Sequence, residues 1–134
     1  MNCSISKATP TQKPLKIVIL GGGIAGLSVY ASLKKLNFEV QIFERSSSKR
    51  SSGMGFLLLE NGIETLKEIG LDQSFNTISK KLDHYVSFGE SDALGVSTPL
   101  EGVYAVKRND ILDMLLEDVD PEDLNYDMSY DHLV

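Results

Sequence analysis

Residues 16–20 read KIVIL, an apolar β-branched run closed by glycine, a pattern that predicts a buried parallel strand. Past three consecutive glycines, Ile24, Leu27, Ala31 and Leu33 or Leu36 fall near helical spacing, which predicts a helix over 24–36 with Asn37 as its stop. Residues 38–44, FEVQIFE, alternate Phe38, Val40 and Ile42 against Glu39 and Gln41, the mark of a second strand. Strand, glycine turn, helix and strand within about thirty residues make a βαβ unit. Parallel strands joined this way cross over right-handedly in nearly all folds.

Downstream, residues 45–53 (RSSSKRSSG) form a polar loop in which Lys49 and Arg50 read as loop charges, and residues 53–62 (GMGFLLLENG) are apolar and glycine-flanked. Ile63, Leu66 and Ile69 predict a helix over 61–69 that ends at Gly70, with Leu71 making the closing apolar contact. Leu71, Phe75, Ile78 and Leu82 extend one helical face further. Residues 84–89 alternate as a strand, and 94–106 predict strand, turn and strand around Pro99 and Gly102. Asn109 is the expected cap of a last helix over 110–119, striped by Leu112, Leu115, Leu116 and Val119 and ended by Pro121. Leu124, Tyr126, Met128 and Tyr130 then alternate with polar residues as a final strand.

At 134 residues and 42% hydrophobic, the chain can bury one modest core. No apolar run approaches the roughly 18 residues of a membrane span. The lone Cys3 excludes an internal disulfide and fits a reducing, cytoplasmic compartment. The leader, 1–14, lacks the apolar stretch of a secretory signal and reads as disordered, leaving 15–134 as the folded part. Charge is split: residues 1–50 carry a surplus of +6 and residues 51–134 one of −12, within a net charge of −6. Nine acids and no Lys or Arg follow from Asp110 onward, an acidic balance that argues against a nucleic-acid partner. His84 and His132 are expected to be structural, and no metal-ligand cluster is visible.

The chemistry sits in the turn Gly21-x-Gly23-x-x-Gly26. Gly21 allows the sharp strand-to-helix turn, Gly23 lets a diphosphate lie on bare backbone, and Gly26 lets the helix pack close to the strand. The helix that starts at Ile24 and Ala25 points its amide groups and positive dipole end at the phosphates. Glu44 ends the next strand 18 residues after Gly26, near the ~20 expected of a carboxylate that accepts from ribose hydroxyls. A carboxylate there repels a 2′-phosphate, so FAD or NAD is expected in preference to NADP, though Arg45 beside it tempers that preference.

Further motifs carry a family likeness. Glu44-Arg45, Gly53-x-Gly55-Phe56 with Asn61, Leu66-Lys-Glu-Ile69-Gly70-Leu71, and Arg108-x-x-Ile111-Leu112 follow the glycine turn in order. With it they resemble the FAD-dependent aromatic-ring hydroxylases, the single-component flavoprotein monooxygenases, from about Leu15 to Leu116; Phe56 departs from the usual aliphatic residue. The resemblance implies an α/β fold, a Rossmann-like FAD-binding βαβ unit with a parallel sheet, incomplete at the C-terminal end and without a substrate domain. It implies an oxidoreductase that hydroxylates or epoxidises a small organic molecule with FAD, NADH or NADPH, and O2. It further implies that Glu44 holds the adenosine ribose, Arg45 lies along the adenosine-side loop, and Arg108 reaches the ribityl and diphosphate region. Gly55 joins the cofactor-binding set with Gly21, Gly23, Ile24, Ala25, Gly26, Glu44, Arg45 and Arg108. No catalytic acid, base or nucleophile is assigned, because the flavin carries the reaction. The motifs for the rest of the flavin are not found, so these 134 residues alone are expected to hold FAD weakly or not at all and to be inactive. The alternatives are another FAD- or NAD-dependent oxidoreductase and a shortened, non-catalytic remnant of the fold.

Overall fold

The computed structural model describes residues 15–48, 54–88 and 95–131. The expectations for 1–14 with Cys3, for Lys49, Arg50 and Gly53, and for His132 fall outside the described residues.

Strand β1 (Lys16–Leu20), helix α1 (Ile24–Lys35) and strand β2 (Glu39–Phe43) form the βαβ unit, with β1 and β2 parallel and paired from Lys16↔Glu39 to Leu20↔Phe43. Helix α1 ends as the sequence indicates, with Asn37 taking a left-handed φ of 61°. A short strand β6 (Leu124–Asn125) adds to the far side of β2, also parallel, giving the order β1-β2-β6.

The rest of the chain builds a second sheet. Strands β3 (Gly55–Leu58), β4 (Ser79–Val86) and β5 (Ser97–Lys107) are antiparallel in the order β3-β5-β4. Helices α2 (Glu60–Ile69) and α3 (Asp72–Ile78) connect β3 to β4, and α4 (Arg108–Glu117) leaves β5. The join between α2 and α3 is a Schellman closure. Gly70 has φ 84°, its N–H donates to Lys67 O at 3.0 Å, and Leu71 N–H donates to Leu66 O at 2.8 Å. Both Leu66 and Leu71 are buried, so the apolar contact expected of Leu71 accompanies the backbone one.

Four expectations give way here. Leu82 lies on β4, opposite Val103, because cross-strand pairing takes over from the helical face after Ile78. The stretch around Pro99 and Gly102 is one strand rather than a hairpin. The register moves from Leu82↔Val103 to His84↔Pro99, a bulge that holds Gly102 at φ 65°. Pro99 is tolerated because β3 pairs β5 only from Tyr104 onward, leaving that edge without a partner strand among the described residues. Asn109 is not a cap: Lys107 holds the N-cap position of α4, and Asn109 sits in the first turn with its Oδ1 buried and without a hydrogen-bond partner. The final strand stops after Asn125, where Asp127 turns through φ 58°.

One core joins both sheets. Leu27 and Tyr30 of α1, Val40 and Ile42 of β2, Phe75 of α3, Val106 of β5, and Ile111, Leu112, Met114 and Leu115 of α4 are all buried in it. Helix α4 carries the most, which explains how its first residue, Arg108, is brought beside a turn some 85 positions earlier, a reach on the order of one domain. Among the described residues no helix is long and apolar enough to cross a membrane.

Candidate functional site

Strand β1 ends against β2 with Gly21 N–H donating to Phe43 O at 2.8 Å, and the chain then turns at Gly21 with φ 111°. L residues with a side chain rarely adopt that angle. Gly23 is the N-cap of α1 in extended conformation, with no side-chain cap and no acid in the first turn. Its carbonyl accepts the first helical bond, from Leu27 N–H at 2.9 Å, so the amides of Ile24, Ala25 and Gly26 precede the helical ladder. A Cβ on Gly23 would meet nothing within 4 Å, so a side chain there would project into open space beside the turn. A Cβ on Gly26 would lie 2.0 Å from Gly21 O, so α1 packs directly on the turn's backbone.

Glu44 follows β2 and folds back onto the turn. Its Oε2 accepts Gly22 N–H at 2.8 Å and its Oε1 accepts Ser46 N–H at 2.9 Å. Its backbone is held too, by Glu44 N–H to Asn125 O at 2.8 Å and Met128 N–H to Glu44 O at 3.0 Å. The two bonds orient the carboxylate at the edge of the turn. Gly22, which the spacing leaves as an arbitrary position, is closely packed: a Cβ there would be 3.2 Å from Glu44 Cβ, so that side chain would have to give by a few tenths of an ångström. Of the three, Gly21 is required by its backbone angle, Gly22 packs on Glu44, and Gly23 leaves open space.

Two cavities flank the turn. The larger, about 450 Å³, is bounded by Gly21, Glu44, Arg45, Arg108, Met128 and Tyr130. A narrow cleft of about 40 Å³ lies between Gly22, Gly23, Glu44, Arg108 and Tyr126. Arg108 borders both, its backbone fixed by N–H to Met54 O at 3.0 Å. Gly21, Glu44, Arg45 and Arg108 thus share the larger cavity, and Gly22, Gly23, Glu44 and Arg108 share the cleft. Gly55 is placed elsewhere: it pairs with Lys107 and lines a separate cavity of about 530 Å³ with Phe56, Lys80 and Asp110. Tyr126, Met128 and Tyr130 also border these cavities, although they lie beyond β6 and the chain turns at Asp127 among them.

Behind the site, Asp123 accepts from Tyr30 OH and from Lys34 Nζ, each at 2.8 Å. The bond from Lys34 holds the Asp123 carboxyl below its ordinary range, while the same bond raises Lys34. Burial, and then the bond to Asp123, raises Tyr30. Among the described residues no group of three or more His, Cys, Asp or Glu is arranged to hold a metal ion.

The donor set suits a dinucleotide: uncapped amides at a helix start, open space at Gly23, a fixed carboxylate and a guanidinium. Residues 19–61 match the model of the NAD(P)-binding Rossmann-like domain family. YetM of Bacillus subtilis (strain 168), whose name describes an FAD-dependent monooxygenase, is 33% identical over 105 residues, 77% of this chain and 28% of that protein. Monooxygenase 1 of Arabidopsis thaliana is 31% identical over 103 residues, 74% of this chain and 26% of its own. The solved tetrameric form of 2-methyl-3-hydroxypyridine-5-carboxylic acid oxygenase superposes with a TM-score of 0.76 at 24% identity, covering 87% of this chain and 32% of that one. At that identity the structural match speaks for the fold. The chain spans roughly a quarter to a third of the length of these proteins.

Proposed function

We propose that this chain is a member of the FAD-dependent aromatic-ring hydroxylase family and supplies the FAD-binding portion of a cytoplasmic monooxygenase that acts on a small organic substrate with NADH or NADPH and O2. The observation that carries the reading is Glu44, held at 2.8 Å by Gly22 N–H and 2.9 Å by Ser46 N–H at the edge of an open glycine turn.

In this reading the amides of Ile24 and Ala25 and the dipole of α1 receive the diphosphate, over the bare backbone of Gly23. The Glu44 carboxylate accepts from the adenosine ribose hydroxyls, and its charge disfavours a 2′-phosphorylated nucleotide. Arg108 gives the diphosphate and ribityl region a planar, bidentate cation, and Arg45 lines the adenosine side. The chemistry that FAD supplies when bound is two-electron transfer from reduced nicotinamide and the activation of O2. The chain's own residues bind and orient, and none is assigned a proton-transfer role.

An NMR titration of the 15N-labelled chain with FAD, reaching millimolar concentration, tests the binding step even where affinity is low. Shifts centred on residues 21–26, 44, 45 and 108, and abolished by Gly23→Val, support the reading. An unchanged spectrum, or shifts centred elsewhere, refutes it. Oxygen-dependent NAD(P)H consumption with product analysis, by a chain that carries these residues together with the remaining length of its relatives, tests the monooxygenase activity.

A further inference from the structure

Two carboxylates tie helix α1 and the turn before it to the sheet. At its start, Glu44 accepts Gly22 N–H at 2.8 Å. Two turns on, Asp123 accepts from Tyr30 OH and Lys34 Nζ, each at 2.8 Å, and Tyr30 OH accepts Asp120 N–H at 3.2 Å. The two anchor points are roughly 12 Å apart along the helix. Asp123 is also part of the strand layer: its carbonyl accepts Ile42 N–H at 2.7 Å, and two residues on, Asn125 O accepts Glu44 N–H at 2.8 Å. The residue that grips the far end of α1 therefore sets the height of the strand end that carries Glu44.

We propose that Asp123 is a positioning residue for the glycine turn, fixing the tilt of α1 against β2 so that the helix amides and the Glu44 carboxylate keep their relative placement. A helix held only at Gly22 can turn about that point, which re-aims the amides of Ile24, Ala25 and Gly26 relative to the Glu44 carboxylate. A second anchor removes that freedom. The hydroxyl of Tyr30 suits this role: the ring is 1% exposed and packed in the core, so the hydroxyl is delivered to Asp123 with little motion left to lose. The inference rests on the proposed cofactor only for what the turn holds. It makes a claim about the protein without ligand, and can fail while that reading stands.

Amide hydrogen exchange, followed by NMR on the ligand-free chain, tests it in Asp123→Ala and Tyr30→Phe. Loss of the anchor is expected to speed exchange at Gly22 and Ser46, the two amides bonded to Glu44, by about tenfold. Amides of the β4–β5 ladder, in the other sheet, should change by less than about twofold. Unchanged exchange at Gly22 and Ser46 overturns the proposal, as does acceleration of all amides together, which is the signature of a merely structural loss. If Asp123→Ala does not fold, Tyr30→Phe, which keeps every ring carbon in the core, decides the matter by the same readout.

Discussion

Replacing Gly26 by alanine sets a methyl carbon 2.0 Å from Gly21 O and 3.2 Å from both Gly21 C and Ile19 Cγ2. Carbon atoms pack at about 3.5–4.0 Å, so the helix must lift or the carbonyl must retreat by more than about 1 Å. The carbonyl cannot move easily: Gly21 is committed to φ 111° and its N–H is bonded to Phe43 O at 2.8 Å. Lifting α1 instead draws Leu27 and Tyr30, both fully buried, out of their packing. Overpacking costs typically about 1–3 kcal/mol, and a backbone obstacle puts this case at the upper end. Alanine's better helix propensity returns roughly 1 kcal/mol, leaving a net loss of about 2 kcal/mol. Gly23→Ala is the contrasting case. Its φ of −83° is ordinary and its Cβ meets nothing within 4 Å, so the only cost is a poorer N-cap, at most about 1 kcal/mol. That methyl instead intrudes on the space assigned to the diphosphate and should weaken nucleotide binding. Urea unfolding followed by circular dichroism measures the two stabilities, read as a shift of midpoint at constant slope. A Gly26→Ala chain as stable as the wild type, or less affected than Gly23→Ala, refutes the reasoning.

Three further outcomes are expected. Gly70→Ala should cost about 1–2 kcal/mol in the same unfolding assay, from the left-handed φ of 84° alone, since nothing stands within 4 Å of its Cβ. Arg108→Ala should weaken FAD binding about tenfold or more in the NMR titration, and Arg108→Lys should restore only part, because an ammonium lacks the planar fork. The contribution of Asp123 and Lys34 to stability should follow pH with a defined window. Asp123 is depressed, so its share is complete above the ordinary value of 3.8 and is lost as pH falls through the lower folded value. Lys34 is raised, so its share is complete below the ordinary 10.5 and is lost as pH rises through the higher folded value. Urea midpoints of wild type and Asp123→Asn should therefore differ at neutral pH and converge below the folded value of Asp123; a constant gap across that range contradicts the assignment.

Local rules reach as far as the residues that obey them. The amino-acid sequence by itself determined β1, the glycine turn, α1 and β2, because apolar periodicity and the steric latitude of glycine act over a few neighbouring positions. It determined the stop at Gly70 for the same reason, and Glu44 as a candidate because its distance from Gly26 is fixed by one crossover. Only the tertiary structure decided that Leu82 pairs in β4 rather than extending a helix, since its preference is set by Val103, 21 positions away. Only the fold revealed that Gly22 is bound to Glu44, that Gly55 lines a cavity separate from the one Arg108 borders, and that Tyr126, Met128 and Tyr130 face the site. Those facts depend on how helix α4 and strand β6 pack against the first βαβ unit. Such packing is the sum of many weak contacts between distant residues, and no local pattern along the chain encodes it.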